Sequence, residues 1–293
     1  MKTKILFLGL VLSILSIGCS KDDNKDSSQA FSSDEAKVNS KIDVANDDVS
    51  DIVEGQYDAT ASNEAGRSSA GAVLINLPSC ATVTRNPDFG ITLTPGTEVT
   101  KTVDFGTEGC PMANGNVLKG KIIITFTYQP EATSHTINYQ FDNFYHNAIK
   151  FTGNKTFTRT MSGGETSHPI VTMVMDMTAT FPDSRVFTRV GTRTREIIAG
   201  MNTPNYFADN IYQVTGNWTT TFPNTTVQTS TITTPLLVKM SCVNQNKPLL
   251  VQGVITFLRN GNTATLDYGN GECDNLAVFT INGNSYNIIL GGN

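Results

Sequence analysis

From about residue 70 onward, this 293-residue chain has no long stretch with apolar residues at helical spacing. Short β-branched and aromatic runs, broken by Gly, Pro and Asn, take its place. Such a pattern fits antiparallel strands joined by tight turns. Two turns are explicit. Asn260-Gly261 lies between Leu249–Arg259 and Asn262–Tyr268, and Asn282-Gly283 lies between Ala277–Ile281 and Asn284–Leu290. Asn-Gly tolerates the positive φ that a two-residue type I′ loop requires at both positions. That loop length fixes register. Arg259 meets Asn262, Phe257 meets Ala264 and Ile255 meets Leu266, so the larger apolar groups share a face with Tyr268. In the second hairpin Phe279 opposes Tyr286, and Ala277 opposes Ile288.

A third hairpin turns at Pro182-Asp183. Its first strand shows Val171, Met173, Met175, Met177, Ala179 and Phe181 on one face. A two-residue loop sets Val186, Thr188 and Val190 against them and Asp176 opposite Arg189. Arg185, Phe187, Arg189, Arg193 and Arg195 then share the other side. This is the candidate ligand face, suited to anions, acidic glycans or lipid head groups. The competing reading is Arg on the solvated side of a sheet. A slip of one residue would turn the arginines into the core.

Four cysteines fall in a repeated setting. "TVDFGTEGC" (102–110) and "TLDYGNGEC" (265–273) both end in Cys, and each has a Ser-Cys about 30 residues upstream. The duplication pairs Cys80 with Cys110 and Cys242 with Cys273. Each disulfide closes a loop worth roughly 3–4 kcal/mol in the chain-entropy model. No Cys-x-x-Cys occurs and no His lies near these residues, which disfavours a metal. A second echo links "DNFYHNAIKFTGNKT" (142–156) with "DNIYQVTGNWT" (209–219). Together they suggest one internally duplicated β domain over 70–293, with repeat segments 79–110 and 241–273.

The leader carries Lys2 and Lys4, an apolar run from Ile5 to Ile17, and then Ser16-Ile17-Gly18-Cys19. It resembles the bacterial lipobox. The resemblance implies a signal peptide over 1–18, cleavage before Cys19 and lipidation of Cys19, which holds a protein on a membrane without a helix. The "KDDNKD" after Ser20 resembles the acidic export signal of Bacteroidota lipoproteins, which implies the outer face of the outer membrane. Residues 19–33 read as a tether. Ser32 and Glu35 fit a capping box. Val38, Ile42, Ala45, Val49 and Ile52 or Val53 form one stripe of a helix over 34–56, with Gly55 as its stop. Asp43, Asp47, Asp48 and Asp51 lie on the opposite face. The expected place of this amphipathic helix is on or beside the β body.

Charge is uneven. Ser20–Asp58 holds eleven acidic residues and four lysines, whereas from Ala59 onward fifteen acids balance fifteen bases. A neutral body lacks the basic face of a nucleic-acid binder. Asp104, Glu108, Asp267, Glu272 and Asp274 lie in or beside the repeated phrases. Paired carboxylates hydrolyse glycosides when held roughly 5–10 Å apart. "DYGNGECDN" lacks the spacing of a twelve-residue Ca²⁺ loop. His135, His146 and His168 have no metal-binding spacing, and no Gly-x-Ser-x-Gly, P-loop or dinucleotide motif is present. No metal and no cofactor are therefore expected. Trp218 and Tyr139, Tyr145, Tyr206, Tyr212 and Tyr268 are either sugar-stacking platforms or core.

In its leader and the style of its body the chain resembles Bacteroidota cell-surface lipoproteins, a resemblance that carries no activity with it. The expected fold is mainly β, a large antiparallel curved sheet or β-sandwich preceded by one helix. The expected function is a lipid-anchored envelope protein with a non-enzymatic binding or structural role. The membrane is its partner through Cys19, with a glycan or an envelope protein as the further candidate. The alternatives are a glycan-active hydrolase using carboxylates and a lipid carrier with an apolar cavity.

Overall fold

The computed structural model describes residues 31–64, 77–163, 167–203 and 207–290. Cys19 with most of its tether, and Tyr206, lie outside the described residues. Helix α1 spans Ser33–Glu64 and opens on the expected capping box. Ser32 N–H donates to Glu35 Oε2 and Glu35 N–H donates to Ser32 Oγ, both at 3.2 Å. The helix does not stop at Gly55. It continues two turns further because Tyr57, Ala59 and Thr60 are buried against the sheet, and that packing outweighs the roughly 1 kcal/mol preference against Gly. Among the described residues no helix is long and apolar enough to cross a membrane.

The strands are β1 (Thr82–Asn86), β2 (Glu98–Asp104), β3 (Cys110–Pro111), β4 (Val117–Thr127), β5 (Ser134–His146), β6 (Ile149–Met161) and β7 (Pro169–Thr180). There follow β8 (Val186–Ala199), β9 (Ile211–Thr221), β10 (Val227–Lys239), β11 (Leu250–Arg259), β12 (Asn262–Asn270), β13 (Leu276–Ile281) and β14 (Asn284–Ile289). They form one antiparallel sheet in chain order, with short β3 paired to β4 off the main path and β1 and β14 at the two ends. The helix is enclosed by the sheet rather than set beside it. Its side chains bond to β5, β6, β8, β11 and β12, and its Gln56 carbonyl accepts from Lys101 of β2. The core lies between the helix and the inner face of the sheet, where Ile42, Ile52, Ile122, Phe157 and Phe257 are all buried.

Both Asn-Gly hairpins have the expected registers. Arg259 pairs with Asn262 and Phe257 with Ala264, and Phe279 pairs with Tyr286. The turn residues have φ of 49° and 78° in the first and 49° and 77° in the second. The third hairpin is shifted by one residue. Its loop has three residues, closed by Phe181 N–H to Arg185 O and Ser184 N–H to Phe181 O, both 2.9 Å, with Ser184 at φ 68°. A two-residue primed turn needs positive φ at its first position, and the ring of Pro182 forbids it. Met177 therefore faces Arg189, Ala179 faces Phe187, and Asp176 faces Val190 rather than Arg189. Val186 and Val190 point outward, 42% and 57% exposed, while Phe187, Arg189, Arg193 and Arg195 point into the core. The face assignment read from the sequence is thus inverted on β8.

The cysteines pair as Cys80–Cys110 and Cys242–Cys273, with Cα separations of 5.7 and 5.3 Å. The two repeated phrases adopt the same turn. Asp104 Oδ1 accepts the N–H of Gly106 and Asp267 Oδ1 accepts that of Gly269, each at 2.9 Å. Between each Asp and Gly stands a buried aromatic, Phe105 or Tyr268. The second echo also has a shared structural role. Its Thr-Gly-Asn places Gly153 on β6 and Gly216 on β9 with φ of 119° and 141°. A Cβ there would lie 2.3 Å from the carbonyl oxygen of Asp176 or Thr192 on the neighbouring strand. These glycines let adjacent backbones approach closely where the sheet wraps the helix.

Gly216→Val should therefore lower stability by roughly 2–3 kcal/mol, with Gly153→Val similar. Gly283→Ala, in a turn with open space around its Cβ position, should cost about 1 kcal/mol. Urea denaturation midpoints give the order. Equal midpoints for Gly216→Val and Gly283→Ala would refute the close-approach explanation.

Candidate functional site: an acidic helix inside a basic sheet

The helix presents Asp43, Asp47, Asp51 and Glu54 along one stripe, and β8 presents Arg189, Arg193 and Arg195 toward it. Four helical residues rise about 6 Å, close to the roughly 6.7 Å between alternate strand residues. The two rows therefore keep step. Asp43 Oδ1 accepts from Arg189 Nη1 at 2.6 Å and from Arg193 Nη2 at 2.5 Å, and Tyr268 donates its hydroxyl to Asp43 Oδ2 at 3.1 Å. Asn39 Oδ1 holds the other arm of Arg189 at 2.7 Å. Arg195 bonds Asp51 and reaches Glu54 Oε1 at 3.3 Å. Aromatic rings back the guanidinium groups. Arg193 lies 4.2 Å from the Trp218 ring and Arg195 3.6 Å from that of Tyr212, so each cation meets a π face where water is excluded.

Other charges complete the enclosure. His146 Nε2 lies 2.7 Å from Asp48 Oδ2, and Asn116 and Asn114 donate to the same carboxylate at 2.7 and 2.8 Å. Arg259 Nη1 donates to Glu35 at 3.0 Å, beside the rings of Phe222 and Phe31. Lys155 Nζ donates to Asn46 Oδ1 and Lys101 Nζ to the carbonyl of Gln56.

Burial shapes the titration of this interior. Desolvation pushes Asp47 and Glu54 up to about 7, against the pull of Arg193 and Arg195 on the first and Arg195 on the second. It pushes Asp51 up to about 6, opposed by Arg195. Lys155 moves down to about 7 through burial, reinforced by Arg193 and Arg189. Asp47, Ser50, Glu54, Arg193 and Arg195 line a cavity of about 10 Å³, the size of one water molecule. Asp47 Oδ2 and Arg193 Nη1, on two of its walls, have no hydrogen-bond partner among the described residues, although Arg193 Nη1 lies 3.9 Å from Asp47 Oδ1.

The structure redistributes the residues singled out by sequence. Four members of the proposed ligand face, Phe187, Arg189, Arg193 and Arg195, do stand together, but the anion they hold is the chain's own helix. Arg185 is apart from the three buried arginines, exposed at the turn, paired with Asp183 at 2.7 Å and 5.8 Å from the Phe187 ring. Trp218, Tyr139 and Tyr268 are buried and present no ring to an external sugar. Asp104, Asp267 and Asp274 each accept a backbone N–H of their own turn. Of the histidines, His146 bonds Asp48, His168 Nε2 lies 2.6 Å from Glu196 Oε1, and the His135 ring centroid is 5.5 Å from that of Tyr57. Among the described residues no group of three or more His, Cys, Asp or Glu is placed to hold a metal.

Sequence reading missed Lys101, Lys155 and Arg259. Their signal was present, because each occupies an inward position of an alternating strand, as Lys155 does between Gly153 and Phe157. A charged residue there announces a buried partner.

Asp43→Ala leaves two buried guanidinium groups without their counterion and should cost about 3–5 kcal/mol. Arg185→Ala, which breaks an exposed pair, should cost less than about 1 kcal/mol. Chemical denaturation measures both. Asp47 makes a pH-dependent prediction. Its carboxyl is raised in the fold, so its favourable contribution is complete below the unfolded pKa near 3.8 and is lost as pH rises through about 7. Asp47→Asn should therefore gain on the wild type by roughly 2–4 kcal/mol between pH 4 and pH 8. A difference that stays flat over this range would contradict the buried-acid assignment.

No family model, no curated protein and no solved structure matches this chain, so its functional reading rests on its own residues.

Proposed function

We propose that this chain is a lipid-anchored protein of the bacterial outer membrane whose β body has a structural or binding role. The leader supports the anchor through Lys2, Lys4, the short apolar run and Ser16-Ile17-Gly18-Cys19. The body supports the role through one observation. The inner face of the sheet is occupied along the helix by the chain's own α1 and the residues just ahead of it, from Phe31 packed near Phe257 to Tyr57 packed on Phe126. A lipid carrier with a β groove needs that face for an acyl chain. Three of the carboxylates offered for glycan hydrolysis, Asp104, Asp267 and Asp274, are engaged in their own turns, with Asp104 also 3.3 Å from Lys121. That engagement favours a structural task for them. The partner implied is the membrane through Cys19, with a glycan or an envelope protein meeting the outer surface of the sheet.

Cys19→Ser should move the protein from the membrane pellet to the soluble fraction and abolish its labelling by an alkyne fatty acid. Protease added to intact cells should degrade the wild-type protein. Retention of Cys19→Ser in the pellet would sink the anchor, and protection from protease would sink surface exposure.

A further inference from the structure

The loop joining β6 to β7 holds three side chains in a line. Ser162 Oγ lies 3.0 Å from His168 Nδ1, and His168 Nε2 lies 2.6 Å from Glu196 Oε1. Ser162 and His168 flank the loop, while Glu196 comes from β8, where it pairs with Ile170, two residues beyond His168. The histidine and glutamate side chains keep 19% and 36% of their exposure, so the group is supported by the sheet yet open to solvent. A Cβ built at the adjacent Gly163 meets nothing within 4 Å.

Closing the loop does not require this line. Ser162 N–H donates to His168 O at 2.8 Å, Ser167 Oγ donates to Ser162 O at 2.7 Å, and His168 N–H donates to Ser162 Oγ at 2.9 Å. Those three bonds join the two ends of the loop. The imidazole adds two further links, one to the serine hydroxyl and one to a carboxylate on another strand. Together they satisfy the nucleophile, base and orienter part of the geometry of an activated hydroxyl, with the base in reach of the hydroxyl and a third group orienting the base.

We propose that Ser162, His168 and Glu196 form a nucleophile, base and orienting carboxylate that act on small activated acyl esters. Glu196 accepts the Nε2 proton of His168, which fixes the tautomer whose Nδ1 lone pair faces Ser162. Ser162 Oγ attacks the ester carbonyl carbon and its proton passes to His168 Nδ1. The imidazolium is stabilised by Glu196. The carbon–oxygen bond to the leaving alcohol breaks, and that alcohol takes the proton back from Nδ1. The product is an acyl group on Ser162, which water removes by the same route in reverse. Ser162 and His168 are catalytic residues in this scheme, and Glu196 is a positioning residue. None of the helix–sheet ion pairs takes part, so the proposal goes beyond the anchored structural role and does not depend on it.

The test treats full-length, folded protein with a fluorophosphonate probe and, separately, with p-nitrophenyl acetate. The expected result is one adduct, mapped by mass spectrometry to the Ser162 peptide. It should be absent in Ser162→Ala and form at least tenfold more slowly in Glu196→Gln, and ester turnover should fall in parallel. Thermal melts of both variants that match the wild type separate lost chemistry from lost fold. No adduct on the folded wild type, an adduct on another residue, or labelling unchanged by Ser162→Ala would overturn the proposal. So would a Glu196→Gln variant that reacts at the wild-type rate. Membrane fractionation does not bear on this result, so failure here and failure of the anchor are told apart.

Discussion

The carboxylate of Asp43, fully buried and bonded at once to Arg189, Arg193 and Tyr268, is the contact on which the rest of the structure depends. It joins the N-terminal helix to β8 and β12, strands far apart in the sheet order. Taking such charges out of water is expensive, and an apolar replacement of the same shape is often as stable or more so. The benefit is register. A helix sliding by one turn would set Asp47 where Asp43 sits and leave an arginine unpaired, so the arrangement penalises every alternative depth and rotation of α1. An apolar helix in the same sheet would have many nearly equivalent positions.

This contact also orders assembly. The strands follow one another around the sheet, so most pairings are local and form hairpin by hairpin. The helix is made first but finds its last partners late. Tyr268 and Arg259 lie more than 220 residues from Asp43 and Glu35. Until the sheet has wrapped it, α1 is an acidic segment with a narrow apolar stripe, unable to stabilise itself. The inner sheet face has Arg and Lys among its Phe and Ile, and cannot become dry without those acids. Neither half has a satisfied core alone, which explains how the acidic helix α1 and a body with no net charge form one folded unit.

Much of this was legible in the chain. The Asn-Gly pairs gave both registers to the residue because a two-residue primed loop leaves no freedom, and the repeated Asp-aromatic-Gly phrase gave the disulfides. The inversion on β8 shows where such reasoning ends. A single turn residue, Ser184 in the left-handed region, moves every side chain of the strand to the opposite face. The rule that arginines stay outside then supported the wrong choice, because their counterions lay on a helix about 140 residues earlier. The acids of α1 were visible, and so were the inward arginines of an alternative register. What joins them is long-range geometry, which local propensity does not encode. Ser162, His168 and Glu196 were hidden for the same reason, with two of them flanking the β6–β7 loop and the third on β8.

The location of the charges also explains the composition. Only 16% of the residues are charged, and among the described residues four aspartates of α1 and four arginines and lysines of β6 and β8 are buried. The outer face is left to short, β-branched hydroxyl side chains. One row runs in register from Thr192 through Asn217, Thr231, Thr256 and Thr265 to Thr280 across six strands. On the outer side of a curved sheet, neighbouring side chains splay apart, so long ones gain little from each other. Threonine covers the strand backbone, keeps its strand propensity and offers a hydroxyl to water without a charge. The molecule thus carries a set of paired ions in its core and a row of neutral polar side chains on part of its outer face. Contacts made along this row would draw on shape and hydrogen bonding rather than on a long-range field, and salt would change them little.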